Sequence, residues 1–194
     1  MKLYLIRHGQ SETNLKMIHG GQLDVSLTQQ GEKDAKSAGR LLEGISFSQV
    51  YTSDLKRAMQ TADIALPAYD KIPTALLREI GLGKLEGRKP EDCQAEYGER
   101  YITEKANRNF RDFGGENYAD HVKRAREFLD TVATEKDENI AAFCHEGTIK
   151  AMLDIVLNIG HWVSIKNILC SNGSVTVLDY KNGNWRLCQW NLTE

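Results

Sequence analysis

The segment Leu3-Tyr4-Leu5-Ile6-Arg7-His8-Gly9-Gln10-Ser11-Glu12-Thr13-Asn14 decides how the chain is read. Four apolar residues in succession are too few for a helix and predict a buried strand. The strand stops at Arg7-His8-Gly9, where a fixed cation stands beside an imidazole and a residue with no side chain. Gly9 is expected to let backbone approach a ligand closely, and Ser11, Glu12, Thr13 and Asn14 suit a loop around that ligand. An imidazole at the carboxyl end of a buried strand is placed to attack phosphorus while the guanidinium holds the phosphoryl oxygens. A lone Arg-His pair is also ordinary surface sequence. The chemical reading therefore needs partners elsewhere: a second imidazole, a second arginine and a carboxyl acid.

The pattern recurs near the other end of the chain. Asp137-Glu138-Asn139 turns into Ile140-Ala141-Ala142-Phe143-Cys144, whose unbroken apolar character predicts another buried strand, and the run ends in His145-Glu146-Gly147-Thr148. A helix with Ile149, Met152, Leu153 and Val156 on one face opens there, so its first N–H groups would face an anion. Phe47 to Thr52 predicts a further short strand. Ser53 is the expected N-cap of the following helix, whose apolar face carries Leu55, Ala58, Met59 and Ala62. Arg57 lies off that face, close behind the strand, and so near the same sheet edge as His8 if the two strands are neighbours.

Between these landmarks, Ala35, Ala38, Gly39 and Leu42 mark a helix that Gly44 ends. Pro67 and Pro73 bracket a connection with a short extended piece, Ile72 to Leu76. The stretch Arg78-Glu79-Ile80-Gly81-Leu82-Gly83-Lys84-Leu85-Glu86-Gly87 has nucleotide-loop glycines at the wrong spacing and no G-K-[ST]. It reads better as a glycine-rich loop that carries Glu79 into a pocket. Pro90 to Phe113 is polar and weakly periodic, as expected of one or two helices lying over a site. After Gly114-Gly115, the residues Tyr118, Val122, Ala125, Leu129 and Val132 predict a long helix from about Asn117 to Thr134. Two alternating runs, Ser174 to Tyr180 and Asn184 to Trp190, flank Asn182-Gly183 and predict a hairpin.

Helices alternating with buried strands predict an α/β fold: a three-layer α/β/α sandwich with a mainly parallel central sheet and an antiparallel edge from the hairpin. A small helical cap, about 76–115, would cover the site, and 1–194 would form a single domain. Ligands of such sheets bind at the carboxyl ends of the strands, where His8 and His145 both fall. The edge strand could pair with a second copy as a homodimer.

Hydrophobic content of 41%, charged content of 27% and a formal net charge of -2 suit a globular protein and give no reason to expect nucleic acid or a membrane as partner. Cys93, Cys144, Cys170 and Cys188 lie far apart, with no C-x-x-C pair, which points to reduced thiols and a cytoplasmic location. The apolar start is too short for a signal peptide, and no run approaches membrane-spanning length. Cys144 beside His145 has the look of a zinc pair, but no further ligand stands at the required spacing, so Cys144 reads as a small core residue. No metal and no cofactor are expected.

Arg7-His8-Gly9, Arg57, Glu79 and His145 together resemble the histidine phosphatase superfamily, the phosphoglycerate mutase-like proteins. The likeness covers nearly the whole chain. It rests on Leu-Ile-Arg-His-Gly-Gln-Ser-Glu-Thr-Asn at the start and on Tyr51-Thr52-Ser53-Asp54-Leu55-Lys56-Arg57-Ala58 with Gln60-Thr61-Ala62. Leu77-Arg78-Glu79 with Gly83-Lys84-Leu85-Glu86-Gly87, and Gly115-Glu116-Asn117-Tyr118 with Asp120 and Arg124, complete it. The resemblance implies that His8 becomes phosphohistidine and that Arg7, Arg57 and His145 bind the phosphoryl oxygens. Asn14, Gly9 and backbone near Gly20, Gly21 and Gly147 would add contacts. Glu79 would protonate the leaving alkoxide and later activate water. A glutamate ordinarily titrates near 4.3, so the acid role asks for burial or a nearby phosphate dianion.

Two departures stand out. Glu146 follows His145 where the family more often has glycine, and it is expected to point away from the phosphate or to meet a cationic group of the substrate. The cap lacks the paired arginines that hold the second end of a bisphosphate; Arg88, Lys89, Arg100, Lys105, Arg108 and Arg111 are scattered along it. Hydrolysis of a small phosphorylated metabolite is therefore the main expectation. A phosphoglycerate mutase and an inactive phospho-ligand binder are the alternatives.

Overall fold

The structure is a computed structural model that describes residues 1–134, 136 and 138–194; Asp137, read as part of a turn, lies outside them. Six strands form one sheet: β1 (Lys2–Arg7), β2 (Gln49–Ser53), β3 (Ile72–Thr74), β4 (Asn139–Cys144), β5 (Val175–Lys181) and β6 (Asn184–Leu192). Their order is β3-β2-β4-β1-β5-β6. The first four run parallel, whereas β5 and β6 are antiparallel additions. The helices are α1 (Glu12–Leu15), α2 (Gln29–Leu41), α3 (Lys56–Ala65), α4 (Pro90–Asn107), α5 (Tyr118–Val132), α6 (Glu146–Leu157) and α7 (Trp162–Ile165). None of these is long and apolar enough to cross a membrane.

The two apolar runs that announced β1 and β4 split their side chains between two cores, as the pleat requires. Leu3, Leu5, Ile140, Ala142 and Cys144 pack on one face with Phe128 and Leu129 of α5 and Ile149 and Met152 of α6. Ile6, Ala141 and Phe143 pack on the other face with Ala38 of α2, Ala62 and Ala65 of α3, and Leu42. Burying a side chain such as Phe128 or Leu129 contributes roughly 1.5–3 kcal/mol, against tenths of a kcal/mol from helix propensity at an ordinary position. The two layers, not the helices' own preferences, hold the sheet. The three-layer arrangement with an antiparallel edge is the one the sequence predicts. At that edge Asn182 and Gly183 both take positive φ, 53° and 75°, as a two-residue hairpin of matching twist demands.

The chain from Ile80 to Phe113 has a core of its own, made of Ile80, Leu82, Leu85, Cys93, Tyr101, Phe110 and Phe113. Its main helix, α4, bends at Gly98 and ends in a left-handed residue, Arg108, with φ 52°. The long helix α5 starts at a capping box formed by Asn117 and Asp120.

Two local expectations need correction. Ser53 does not cap α3: it is the last residue of β2, paired with Thr74, and the cap position falls to Leu55 without a side-chain bond. Its hydroxyl is taken up by a buried imidazole described below. Gly9 makes room for protein, not for a ligand, because a Cβ there would lie 2.1 Å from the carbonyl oxygen of Gly31. Gly31, in the first turn of α2, is equally crowded, since its Cβ would lie 2.1 Å from the Gln10 carbonyl oxygen.

These close approaches give a direct test. Alanine is a better helix former than glycine by ~1 kcal/mol, so propensity alone makes Gly31→Ala stabilising. Overpacking against the Gln10 carbonyl costs about 1–3 kcal/mol and should win. The substitution is expected to lower the urea midpoint.

Candidate active site

The parallel register sets Arg7 against Cys144, and the His8 N–H continues the ladder to the Cys144 carbonyl at 3.0 Å. His8 and His145 therefore leave the sheet side by side, with ring centroids 5.1 Å apart and planes at 61°. Both rings are buried. His8 Nδ1 lies 2.6 Å from the Gly9 carbonyl, which can only accept, so Nδ1 carries the hydrogen and Nε2 the lone pair. Arg57 Nε donates to that lone pair at 3.2 Å. Arg57 is itself held by the Gly21 and Leu23 carbonyls, each at 2.8 Å. Burial, then Arg57 and Arg7, pull the His8 pKa well below the usual imidazole range against the pull of the Gly9 carbonyl. The ring is neutral at physiological pH.

His145 is oriented by Ser53, whose Oγ lies 2.9 Å from Nε2. That Oγ also accepts the Leu55 N–H at 3.3 Å; when its own proton goes to Nε2, the imidazole hydrogen sits on Nδ1, which has no partner. Burial, then Arg57, hold its pKa well below the ordinary value. Glu79 arrives from the loop after β3. Its Oε1 accepts from Ile80 N at 2.8 Å, its Oε2 from Gly147 N at 2.9 Å, and Arg108 Nη2 stands 3.5 Å from Oε1. Arg124 of α5 fixes this loop by donating to the carbonyls of Leu76, Arg78 and Glu79 while paired with Glu116 at 2.9 Å.

Several expected ligand contacts are already engaged within the protein. The Gly147 N–H, anticipated as a free helix-terminal donor, serves Glu79, and any side chain at 147 would run into that carboxylate, its Cβ 2.1 Å from Oε1. The Gly20 and Gly21 carbonyls accept from Leu23 N and from Arg57. Asn14 Oδ1 accepts from Ser11 N and Ser11 Oγ at 3.0 and 2.9 Å, as part of the α1 cap. Glu146 neither points away nor waits for a substrate cation: it pairs with Arg7 at 3.2 Å and with Lys150 at 2.7 Å.

Four residues at the site escape a reading of the sequence: Ser53, Arg108, Lys150 and Asn172. Asn172 Nδ2 donates to the His8 carbonyl at 2.9 Å. Arg108 corrects the impression of scattered cap cations. It reaches from the end of α4 to Glu79, stacks on Trp162 with Cζ 4.1 Å from the ring centroid, and leaves Nε and Nη2 buried without hydrogen-bond partners. Arg7 Nε and His145 Nδ1 are likewise buried and unpartnered. Buried donors are almost always satisfied, so Arg7 Nε, Arg108 Nε and His145 Nδ1, buried without partners, are groups that an anion could satisfy. Beside it opens a cavity of about 650 Å³, lined by Tyr101, Lys105, Arg108, Trp162 and Lys166 among others and by no acidic side chain among the described residues. No three His, Cys, Asp or Glu side chains among the described residues are grouped so as to hold a metal ion.

Fold and site thus define an α/β protein with an imidazole pair, arginines and a carboxylate converging at the carboxyl edge of a parallel sheet. The chain belongs to the histidine phosphatase superfamily (branch 1), whose family model matches residues 3–193. A broad-specificity phosphatase of Saccharomyces cerevisiae is 34% identical over 93% of this chain and 80% of its own length. A 2,3-bisphosphoglycerate-dependent phosphoglycerate mutase of Dichelobacter nodosus is 32% identical over 93% and 74%. Among solved structures, a mycobacterial glucosyl-3-phosphoglycerate phosphatase superposes with a TM-score of 0.84 at 27% identity, covering 99% of both chains. The α-ribazole phosphatase of Shigella flexneri matches in fold, with a TM-score of 0.86 at 24% identity over 99% of this chain and 96% of that one.

The buried neutral histidines make stability depend on pH. As the pH falls below about 6.5 the unfolded chain takes up a proton at each, whereas folded His8, His121 and His145 resist it, chiefly because they are buried. Stability is therefore fully present above that pH and is lost on acidification, with a slope of up to ~1.4 kcal/mol per pH unit for each histidine. Urea titrations at pH 7.5 and 5.5 should show the midpoint falling on the acid side.

Proposed function

We propose that the protein is a phosphatase that hydrolyses a small phosphomonoester through a phosphohistidine on His8. The observation that carries this reading is the state of His8: neutral, with Nδ1 tied to the Gly9 carbonyl and the Nε2 lone pair held by an arginine. In the first step Nε2 attacks phosphorus, the P–O bond to the leaving group breaks, and Glu79 gives that oxygen its proton. Arg57, which donates to Nε2 in the free protein, passes to a phosphoryl oxygen as the N–P bond forms. Arg7 and the His145 Nδ1–H stabilise the charge spread over the equatorial oxygens. In the second step Glu79, now a carboxylate, takes a proton from water while the water oxygen attacks phosphorus. The P–N bond breaks, phosphate leaves, and His8 is restored.

The cavity beside the pocket supports a leaving group that carries negative charge of its own, since Lys105, Arg108 and Lys166 line it. A mutase would run the same first half-reaction, and the mutase relatives favour that reading. It must, however, hold its intermediate against water. Among the described residues a single cap arginine, Arg108, reaches Glu79, which favours hydrolysis.

Phosphate release from a panel of phosphomonoesters in EDTA tests the proposal. Wild type should release phosphate, His8→Ala should release none, and Glu79→Gln should be slower by about 10²–10⁴-fold. Conversion of 3-phosphoglycerate to its 2-isomer without free phosphate would overturn hydrolysis in favour of the mutase. Within the panel, Arg108→Met should reduce the kcat/KM preference for a carboxylate-bearing ester over an uncharged one by about tenfold or more, the loss expected for one charge-assisted contact. An unchanged ratio would remove Arg108 from substrate selection.

A further inference from the structure

The glutamate that follows His145 has no role in the mechanism above, yet it stands between two cations. Glu146 is the first residue of α6, and Lys150 lies one turn along the same helix. Lys150 is among the most deeply buried charged side chains of the protein, 2% exposed. Its Nζ donates to Glu146 Oε1 at 2.7 Å and to the Lys166 carbonyl at 2.9 Å. The other carboxylate oxygen, Oε2, is 3.2 Å from Arg7 Nη1. Arg7 Nη1 also donates to the Cys170 carbonyl. The guanidinium is thus gripped at one nitrogen, from two sides, by acceptors that leave Nε buried and without a partner.

A planar guanidinium recognises a phosphoryl group through two adjacent donors, so its value depends on which edge it presents. We propose that Glu146 is a positioning residue for Arg7: by holding Nη1 it turns the Nε edge toward the phosphoryl oxygens, and Lys150 fixes Glu146 in turn. This inference rests on the reading that Arg7 binds the phosphoryl group. Without Lys150, the carboxylate is free to form a two-pronged pair with Arg7 and to compete with the substrate for it. With one oxygen committed to Lys150, it can hold Arg7 by a single nitrogen. Glu146 is about one-third exposed, so it is not needed to fill the core. A carboxylate beside a phosphate site would by itself oppose the anion; the two bound cations turn that liability into orientation.

The experiment pairs steady-state turnover of an aryl phosphate with equilibrium binding of orthovanadate, which resembles the five-coordinate transition state. In Glu146→Gln, kcat and vanadate affinity should each fall by about tenfold or more, while KM moves by less than about threefold, because orientation matters most in the transition state. The double variant Glu146→Gln with Lys150→Met removes the charge that the single change strands in the core, and it should be just as slow. It also decides the question if the single variant does not fold. Recovery of wild-type kcat and vanadate affinity in the double variant would overturn the proposal and leave Glu146 as a counter-charge for Lys150. Wild-type or tighter vanadate binding in Glu146→Gln would overturn it as well. Failure of the wild type itself to turn over any ester or bind vanadate would sink the phosphatase reading, and this inference with it.

Discussion

Pairing β1 with β4 in parallel is the constraint on which the site depends. The two strands carry the most continuous apolar runs at their ends of the chain, and each is covered on both faces. A shift of one residue would put Ile6 and Phe143 into the layer built for Leu5 and Ala142. The register that buries them correctly sets Arg7 against Cys144, and the next residue on each strand is a histidine. Chemistry and core packing are therefore one decision. The imidazoles meet because hydrophobic side chains elsewhere on the strands must alternate.

Bringing them together creates an electrostatic problem that the surroundings resolve with fixed dipoles and hydrogen bonds. Two buried imidazoles beside Arg7 and Arg57 cannot both be cationic, and burial with neighbouring positive charge keeps each neutral. The Gly9 carbonyl, which can only accept, fixes the tautomer of His8, and the Ser53 hydroxyl orients the ring of His145. Glu146, the first residue of α6, meets part of the surplus of cations by pairing with Arg7 and Lys150. A net charge of -2 over the whole chain conceals this local arrangement entirely.

Much of this was legible in the residues alone, and the reasons differ by element. The β1 and β4 runs, the Asn182-Gly183 hairpin and the stepped apolar face of α5 carry signals that are local and periodic. The histidines announce themselves by ending apolar strands. Arg57 could be placed near them because it closely follows a third strand. What escaped depends on contacts across the fold. Ser53 matches the ordinary pattern of a helix cap, so nothing local distinguishes a hydroxyl spent on an imidazole. Arg108 reaches Glu79 from the left-handed end of α4, a helix bent at Gly98, in a segment with little periodicity to read. Lys150 at four residues from Glu146 looks like any surface pair along a helix, and only burial makes it different.

The same strand pairing has a consequence for the order in which the protein comes into being. His8 follows the first strand directly, and its neighbour across the ladder comes only after three of the covering helices, the glycine-rich loop and the cap have been laid down. Contacts between segments so distant in sequence form late and slowly, because the intervening chain must be ordered before they close. A growing chain holding β1 but not yet β4 has an unpaired strand and a solvated imidazole, with none of the burial that tunes it. The surroundings that bury His8 and keep its ring neutral are therefore complete only once the sheet has closed.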